Sequence, residues 1–205
     1  MTVTLQFSDV NCDKITGLSF ALQAGESAVL RMASKEEKIA AIELAVGERL
    51  PDVGIVTLHG VALHTAPRGS IGWVPENGGL ISNLKVWENV TLPLWYHGRR
   101  RSAVAEDKIV QWLAAMGLAD EEIERFMASP VGRLTTLERK RAGLLRGLLL
   151  APGLLVVDAG LFSGLAAELR EAWVAVLDAF VRETEGRSVL VVANGDVALP
   201  WKIIG

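Results

Sequence analysis

The chain has 205 residues, half of them hydrophobic, and a formal net charge of −3, which suits one ordinary domain with a substantial core. An acidic balance, with a sequence pI of about 5.7, offers no electrostatic footprint for nucleic acid. Cys12 is the only cysteine, so disulfide staples and cysteine-based metal sites are excluded and a reducing cytoplasm is the expected home. The mean hydropathy of +0.32 implies either a large sheet buried on both faces or a sticky surface. The longest uncharged apolar run near the centre, Gly147–Val157, falls well short of the about 20 residues of a bilayer span. The opening MTVTLQFSDV alternates like a strand and lacks the charged start and apolar run of a signal peptide.

Val3–Phe7 and Leu18–Leu22 read as two short strands around the turn-rich Ser8–Gly17, which holds no aromatic residue. Gly25-Glu26 turns the chain into Ser27–Leu30, an apolar strand. Lys35–Ala45 (KEEKIAAIELA) then reads as a continuous helix with Ile39, Ile42 and Ala45 on one face, and Ser34 stands where it can cap that helix. Ile55–Leu58 is a strand. His59 and His64 lack a third ligand at metal spacing and read as solvated loop histidines. Ser70–Pro75 is a further buried strand, followed by Glu76.

Ala103–Met116 is an amphipathic helix with Ile109, Leu113 and Met116 inward, and Glu121–Met127 a short acidic one. The stretch from Leu134 is a polar, basic helix start, an apolar helix, a Pro152-Gly153 stop and a wholly apolar strand, Leu154–Val157, ending on Asp158. Such a strand suits a parallel sheet with helices on both sides. An acidic residue at its carboxyl end sits where open α/β sheets bind ligands. Ala167–Thr184 is a helix burying Leu169, Trp173, Val176, Leu177 and Phe180. Ser188–Ala193 is a second two-faced strand, followed by Asn194.

The run Leu134-Thr135-Thr136-Leu137-Glu138, the arginines 139, 141 and 146, then Asp158-Ala159 and Ser163-Gly164-Leu165-Ala166 make an ordered set. It resembles the ATP-hydrolysing subunit of ABC transporters. In that family Leu-Ser-Gly-Gly-Gln opens an Arg-rich helix, and a strand ending Asp-Glu precedes Ser-Gly-Leu-Asp. The likeness runs from Val3 to Ala198. It implies an α/β fold in a single domain, residues 1–205, with a P-loop NTPase-like parallel core, a small antiparallel β portion and a helical subdomain at about 83–148.

Within that frame the family's chemistry is degraded. Gly25 and Gly47 meet the family's spacing without a gap, which puts the phosphate-loop pattern G-x-x-x-x-G-K-[ST] on Met32 to Ile39. A phosphate loop needs glycines for left-handed backbone and close approach, and left-handed backbone costs another residue about 1–2 kcal/mol. Met32 and Glu37 hold the glycine places, Glu36 and Glu37 bring negative charge toward a polyanion, and Ile39 replaces the Mg²⁺-holding hydroxyl. Lys38 keeps the position that reaches the terminal phosphates, although its polar neighbours favour a solvated helix residue. Glu76 replaces a glutamine that contacts Mg²⁺ and the attacking water, Ala159 the general-base glutamate, and Asn194 the catalytic histidine.

Asp158 either orients a hydrated Mg²⁺ or caps the next turn, and Ser34 either meets phosphate or caps its helix. Leu137 and Thr135-Thr136 crowd the signature backbone that would complete a partner's site. Loss of a general base alone costs about 10²- to 10⁴-fold. The resemblance therefore implies a pseudo-ATPase with no catalytic residues and no metal site. No cofactor is expected, with ATP and Mg²⁺ entering only if residual binding survives at Ser34, Lys38, Glu76 and Asp158.

The segment Asn83–Leu94 keeps the family's look. There the resemblance implies a docking groove for a cytoplasmic helix of a membrane-spanning permease, lined by Trp87, Glu88, Trp95 and Tyr96, side chains of a kind enriched at interfaces. Packing beneath the subdomain is the alternative for the aromatics. Arg99–Arg101 is either solvated or meets acidic headgroups, each residue contributing roughly 1 kcal/mol. The expected protein is a cassette subunit, cytoplasmic and peripheral on the inner face of the cell membrane, paired as a homodimer or with another ABC ATPase. The alternatives are an active transporter ATPase using atypical motifs and a cytosolic regulatory or scaffold module.

Overall fold

The computed structural model describes residues 2–96 and 103–204; Arg99–Arg101 thus lies outside the described residues. The described elements run β1 (Val3–Cys12), β2 (Ile15–Gln23), β3 (Ser27–Met32), α1 (Lys35–Val46), β4 (Val53–Leu58), β5 (Val61–Ala62), β6 (Ile71–Val74), α2 (Val86–Tyr96), α3 (Ala103–Ala115), α4 (Asp120–Ala128), α5 (Thr136–Leu150), β7 (Leu154–Asp158), α6 (Ala167–Arg182), β8 (Ser188–Asn194) and β9 (Lys202–Ile204). They divide into two compact units: Met1–Trp73, Pro152–Ala159 and Asp178–Gly205 form one, and Val74–Ala151 with Gly160–Leu177 the other.

In the first unit the residues that alternate polar and apolar make an antiparallel sheet, order β2-β1-β4-β5, and the uniformly apolar runs make a parallel one, order β6-β7-β8-β3-β9. The reason is burial. Every residue of β7 and all but the last of β8 are buried, as strands covered on both faces require. Leu5, Phe7, Leu22, Leu30, Leu44, Leu154 and Leu190 belong to one apolar core, to which α1 is added by Ala41, Ile42 and Ala45. Phe7 stacks on Phe20 with ring centroids 4.6 Å apart.

One sequence expectation changes here. The stretch Ser8–Gly17 is mostly strand, with only Asp13-Lys14 left between β1 and β2. Register shifts after Phe7 and Val10 put bulges into β1, so polar Asp9 and Asn11 ride inside a strand. Asn11 reinforces it, its Oδ1 accepting from the Gly17 N–H at 2.9 Å and its amide donating to the Asp9 carbonyl at 2.9 Å. The chain's tail supplies one short strand, β9, parallel to β3.

In the second unit α5 packs on α2 and α3. Val86, Val90, Leu113, Met116, Leu144, Leu145 and Trp173 are fully buried. The Met116 carbonyl, just past the end of α3, accepts from Arg141 Nε and Nη2 and from Trp173 Nε1 at 3.3–3.4 Å. Burial lowers the Arg141 pKa from its usual value, and the Met116 carbonyl is among the groups that solvate its cation. Among the described residues no helix is long and apolar enough to cross a membrane.

Candidate functional site

The edge of the first unit where β3 meets α1 is built by a short cap. β3 ends at Met32 and α1 begins at Lys35, so only Ala33 and Ser34 connect them. Ser34, in extended backbone, is the N-cap: its Oγ accepts from the Glu37 N–H at 3.1 Å. Glu37 returns the gesture one residue earlier, its carboxylate accepting from the Ala33 N–H at 3.0 Å. This is a variant of the capping box.

Met32 and Glu37 therefore carry no left-handed strain. Among the described residues, only Asp9, His59 and Ala151 combine a side chain with positive φ. The stretch that the resemblance assigns to a phosphate loop, Met32 to Ile39, is the end of β3, a two-residue connection and the first turn of α1.

Lys38 corrects the expectation of a solvated residue. Its ammonium turns inward and donates to Asp158 Oδ1 at 2.9 Å, with Lys38 5% and Asp158 8% exposed. Ile39, read on the same face as Ile42 and Ala45, is 44% exposed while they are buried. The buried residues of α1 are Lys38, Ala40, Ala41, Ile42, Leu44 and Ala45, so Lys38 joins the apolar inner side, where its ammonium meets the carboxylate at the end of β7.

Asp158 pairs with Val192 on β8, and two residues further Asn194 ends β8 opposite Met32, exposed to solvent. Ala159 follows Asp158 into a helical turn, Ala159–Phe162, and is buried; it brings no carboxylate. The structure thus joins Lys38 to Asp158 and leaves Ser34 as a cap. At this edge the Ala33 N–H and the Lys38 ammonium each hold a carboxylate, Glu37 and Asp158 in turn.

In the second unit Glu76 is exposed and lies against Gly160. A Cβ at Gly160 would sit 2.6 Å from Glu76 Cγ, so the bare glycine gives the glutamate its place. Thr135 and Glu138 close the start of α5 in a full capping box. The Thr135 N–H and hydroxyl both donate to the Glu138 carboxylate at 2.7 Å. Burial raises the Glu138 pKa, but these bonds with Arg141 and Arg125 outweigh it, and the net shift is downward.

Lys140, to which the sequence reading gave no role, and Arg146, read there only as part of the Arg-rich helix, fix the loops around α5. Lys140 donates to the carbonyls of Gly160 and Ser163 and to Ser163 Oγ at 2.7, 2.8 and 3.0 Å. Arg146 donates to the carbonyls of Gly78 and Gly79. Gly143 touches Gly78 so closely that a Cβ on it would lie 2.2 Å from the Gly78 Cα. A glycine inside an otherwise good helix, as at Gly143, is the signal that could have disclosed this contact.

On α2, Val86, Asn89, Val90 and Leu94 are buried, which turns Leu92, Trp95 and Tyr96 outward at 43%, 64% and 72% exposure. These three sit at i, i+3 and i+4 and share a face. Trp87 and Glu88 are half-buried, and the Glu88 carboxylate accepts from the Lys85 N–H at 2.7 Å, closing the helix start. The aromatic pair at the end of α2 is therefore surface, while Glu88 has a local structural duty.

Residues 15–160 match the sequence profile of the ABC transporter family. The chain is 28% identical over 157 residues to the lipoprotein-releasing system ATP-binding protein LolD of Psychrobacter arcticus, covering 73% of this chain and 67% of that one. It is 26% identical over 148 residues to the probable ribonucleotide transport ATP-binding protein mkl of Mycobacterium bovis, a match covering 69% of this chain but only 40% of the relative. A solved ATP-binding subunit of an ABC transporter superposes with a TM-score of 0.78 at 19% identity, covering 92% of this chain and 79% of the other. That likeness speaks to the α/β fold, with its parallel sheet, antiparallel sheet and helices. With the profile spanning well over half its length, the chain belongs to the family of ABC transporter ATP-binding domains.

Proposed function

We propose that this chain is a cassette subunit that docks on a membrane-spanning permease and hydrolyses ATP slowly or not at all. The observation that carries the reading is the buried Lys38–Asp158 ion pair at 2.9 Å. It neutralises, within the chain, the two charged side chains that survive from the family's phosphate and metal chemistry. Ala159 beside it supplies no general base, a loss of about 10²- to 10⁴-fold by itself. Thr135 is tied to Glu138, which supports a chain that does not complete a partner's site either. Pairing with an intact ATPase, or with a second copy in a non-hydrolysing assembly, follows from that.

Docking is supported by Leu92, Trp95 and Tyr96 on the outer face of α2, large side chains of the kind that anchor interfaces. LolD is named for a lipoprotein-releasing system and mkl for ribonucleotide transport, which supports a transporter subunit, with the chain on the cytoplasmic, inner face of the membrane as part of this reading. Retention of Lys38 and Asp158 side by side supports one second reading, an active ATPase with atypical motifs. In that case saturable Mg-ATP turnover collapses in Lys38→Ala.

Purification from detergent-solubilised native membranes tests the first reading. A permease is expected to accompany the wild-type chain and to be lost with Trp95→Ala/Tyr96→Ala, while purified complex shows no turnover dependent on Lys38. Recovery of the wild-type chain with no membrane component refutes the docking, and Lys38-dependent turnover refutes the inactivity.

A further inference from the structure

We propose that a pocket between the C-terminal end of α1 and the outer edge of β4 receives one large apolar side chain from a basic, extended segment of a partner protein. The pocket lies wholly within the first unit and shares no residue with the Lys38–Asp158 pair or with α2. Its cavity is about 270 Å³, walled by Leu44, Leu50, Ile55, Val56 and Leu63, and only Arg49 and His64 bring polar side chains to it. The backbone makes the hollow. Gly47 ends α1 in left-handed backbone, and β5 is two residues long and pairs only with Thr57 and Leu58. The outer edge of β4 at Ile55 and Val56 thus carries no strand among the described residues.

Size, exposure and charge select the occupant. A drug-sized ligand usually needs about 300–1,000 Å³, so this cavity suits a single side chain better than a whole small molecule. Leu50 and Ile55 in its wall, and Val53 on the same strand, stand 63%, 47% and 56% exposed, apolar surface that a longer segment would cover. An open strand edge offers main-chain groups to an added extended segment, and a pocket beside it selects the side chain. The surrounding charge is acidic. Arg49 is engaged within the chain: its Nη1 donates to Asp13 Oδ1 at 2.7 Å, and its Nε lies 3.6 Å from the Glu43 carboxylate. Asp13 also lies 3.9 Å from the Lys14 ammonium. Glu48 and Asp52, sequence neighbours of the lining residues Gly47, Arg49 and Pro51, are exposed and make no ion pair among the described residues. Those two carboxylates attract a basic segment and repel an acidic segment, an anionic lipid surface or nucleic acid.

Fluorescence anisotropy of the dye-labelled peptide Lys-Arg-Val-Trp-Val-Arg-Lys, titrated with the full chain, tests the proposal. Saturable binding is expected. It should weaken at least about tenfold with Ala in place of the peptide's Trp, with Leu50→Asp, or with Glu48→Lys/Asp52→Lys. It should vanish when every basic residue of the peptide is replaced by Glu. Trp95→Ala/Tyr96→Ala is expected to bind the peptide as wild type does, which separates this surface from permease docking. Every substituted side chain of the protein is exposed, and the peptide changes alone decide the matter should a variant misfold.

No saturable binding of the basic peptide overturns the inference, as does equal binding of the Ala or Glu peptide. Wild-type affinity in a folded Leu50→Asp or Glu48→Lys/Asp52→Lys variant overturns it too, as does loss of binding in Trp95→Ala/Tyr96→Ala. Octyltrimethylammonium occupying the site as tightly as the peptide would make it a pocket for a small amphiphilic cation and equally refute a protein segment as the occupant.

Discussion

The starts of α1 and α5 are the two places where this family handles phosphate, and here they are built alike and then diverge. Each opens with a hydroxyl residue followed three positions later by glutamate, Ser34 to Glu37 and Thr135 to Glu138. Each glutamate folds back onto a backbone N–H of its own helix start. The lysines that follow part company. Lys38 is sunk onto a carboxylate, Asp158, while Lys140 is sunk onto neutral oxygens of Gly160 and Ser163. The contacts at 2.7–3.0 Å thus set a carboxylate against the first buried cation and backbone carbonyls with a hydroxyl against the second, so removing the cation leaves a buried anion in the first and neutral acceptors in the second.

The largest effect separates these cases. Lys38→Met takes the ammonium away from the buried Asp158 carboxylate and is expected to cost about 3–5 kcal/mol, the scale of breaking one side of a buried pair. Adding Asp158→Leu removes that charge and is expected to bring stability back to within about 1 kcal/mol of wild type, because an apolar replacement of both partners is often neutral. Urea denaturation of the two variants and wild type reads both outcomes. A single variant as stable as the double would break the contrast.

Lys140→Met is the matching change in the second unit. It removes three hydrogen bonds from an ammonium without orphaning the loop's own contacts: Ser163 Oγ still donates to the Gly160 carbonyl at 2.7 Å, and the Ser163 N–H to the same oxygen at 3.1 Å. The expected cost is about 2 kcal/mol, the scale of hydrogen bonds to a charged group, with faster amide exchange at Ser163. A cost as large as that of Lys38→Met would show that charge compensation is not what distinguishes the two sites.

Much of this was legible in the chain and some of it was misread for physical reasons. β7 and β8 are uniformly apolar, so their place in the parallel sheet follows from composition alone, and α1 follows from its periodicity. The face of α1 did not follow: Lys38 joins the inner side, where its ammonium meets Asp158, and its apolar neighbour Ile39 stays exposed. The β1–β2 hairpin was misread because bulges let polar residues remain in a strand. Both capping pairs were visible as Ser/Thr-x-x-Glu. Lys140 and Arg146 had no such signature, since their acceptors are backbone carbonyls brought near only by the fold. The aromatic end of α2 was named in advance, but its exposure, unlike that of Trp87, depends on which side of the helix α5 covers.

The smallest expected effect bears on the α5 cap. Bonds from Thr135, aided by Arg141 and Arg125, leave the Glu138 carboxyl below its usual value of 4.5 despite the opposing effect of burial. A carboxylate whose folded-state pKa is depressed stabilises the fold at pH values above the unfolded-state pKa. That contribution fades as pH falls through the folded-state value. Glu138→Gln removes the titration but keeps an acceptor for the Thr135 N–H, so the difference in stability between wild type and variant should be greatest near neutrality and shrink on acidification below about pH 4.5. At neutral pH the difference is bounded by the contribution of a helix cap, about 1 kcal/mol. Other carboxylates titrate in the same range and cancel in the difference, which makes paired urea curves at neutral and acid pH the required measurement. A difference that is constant across that range would mean the box is held by its geometry alone, and that the charge on Glu138 contributes nothing to closing the start of α5.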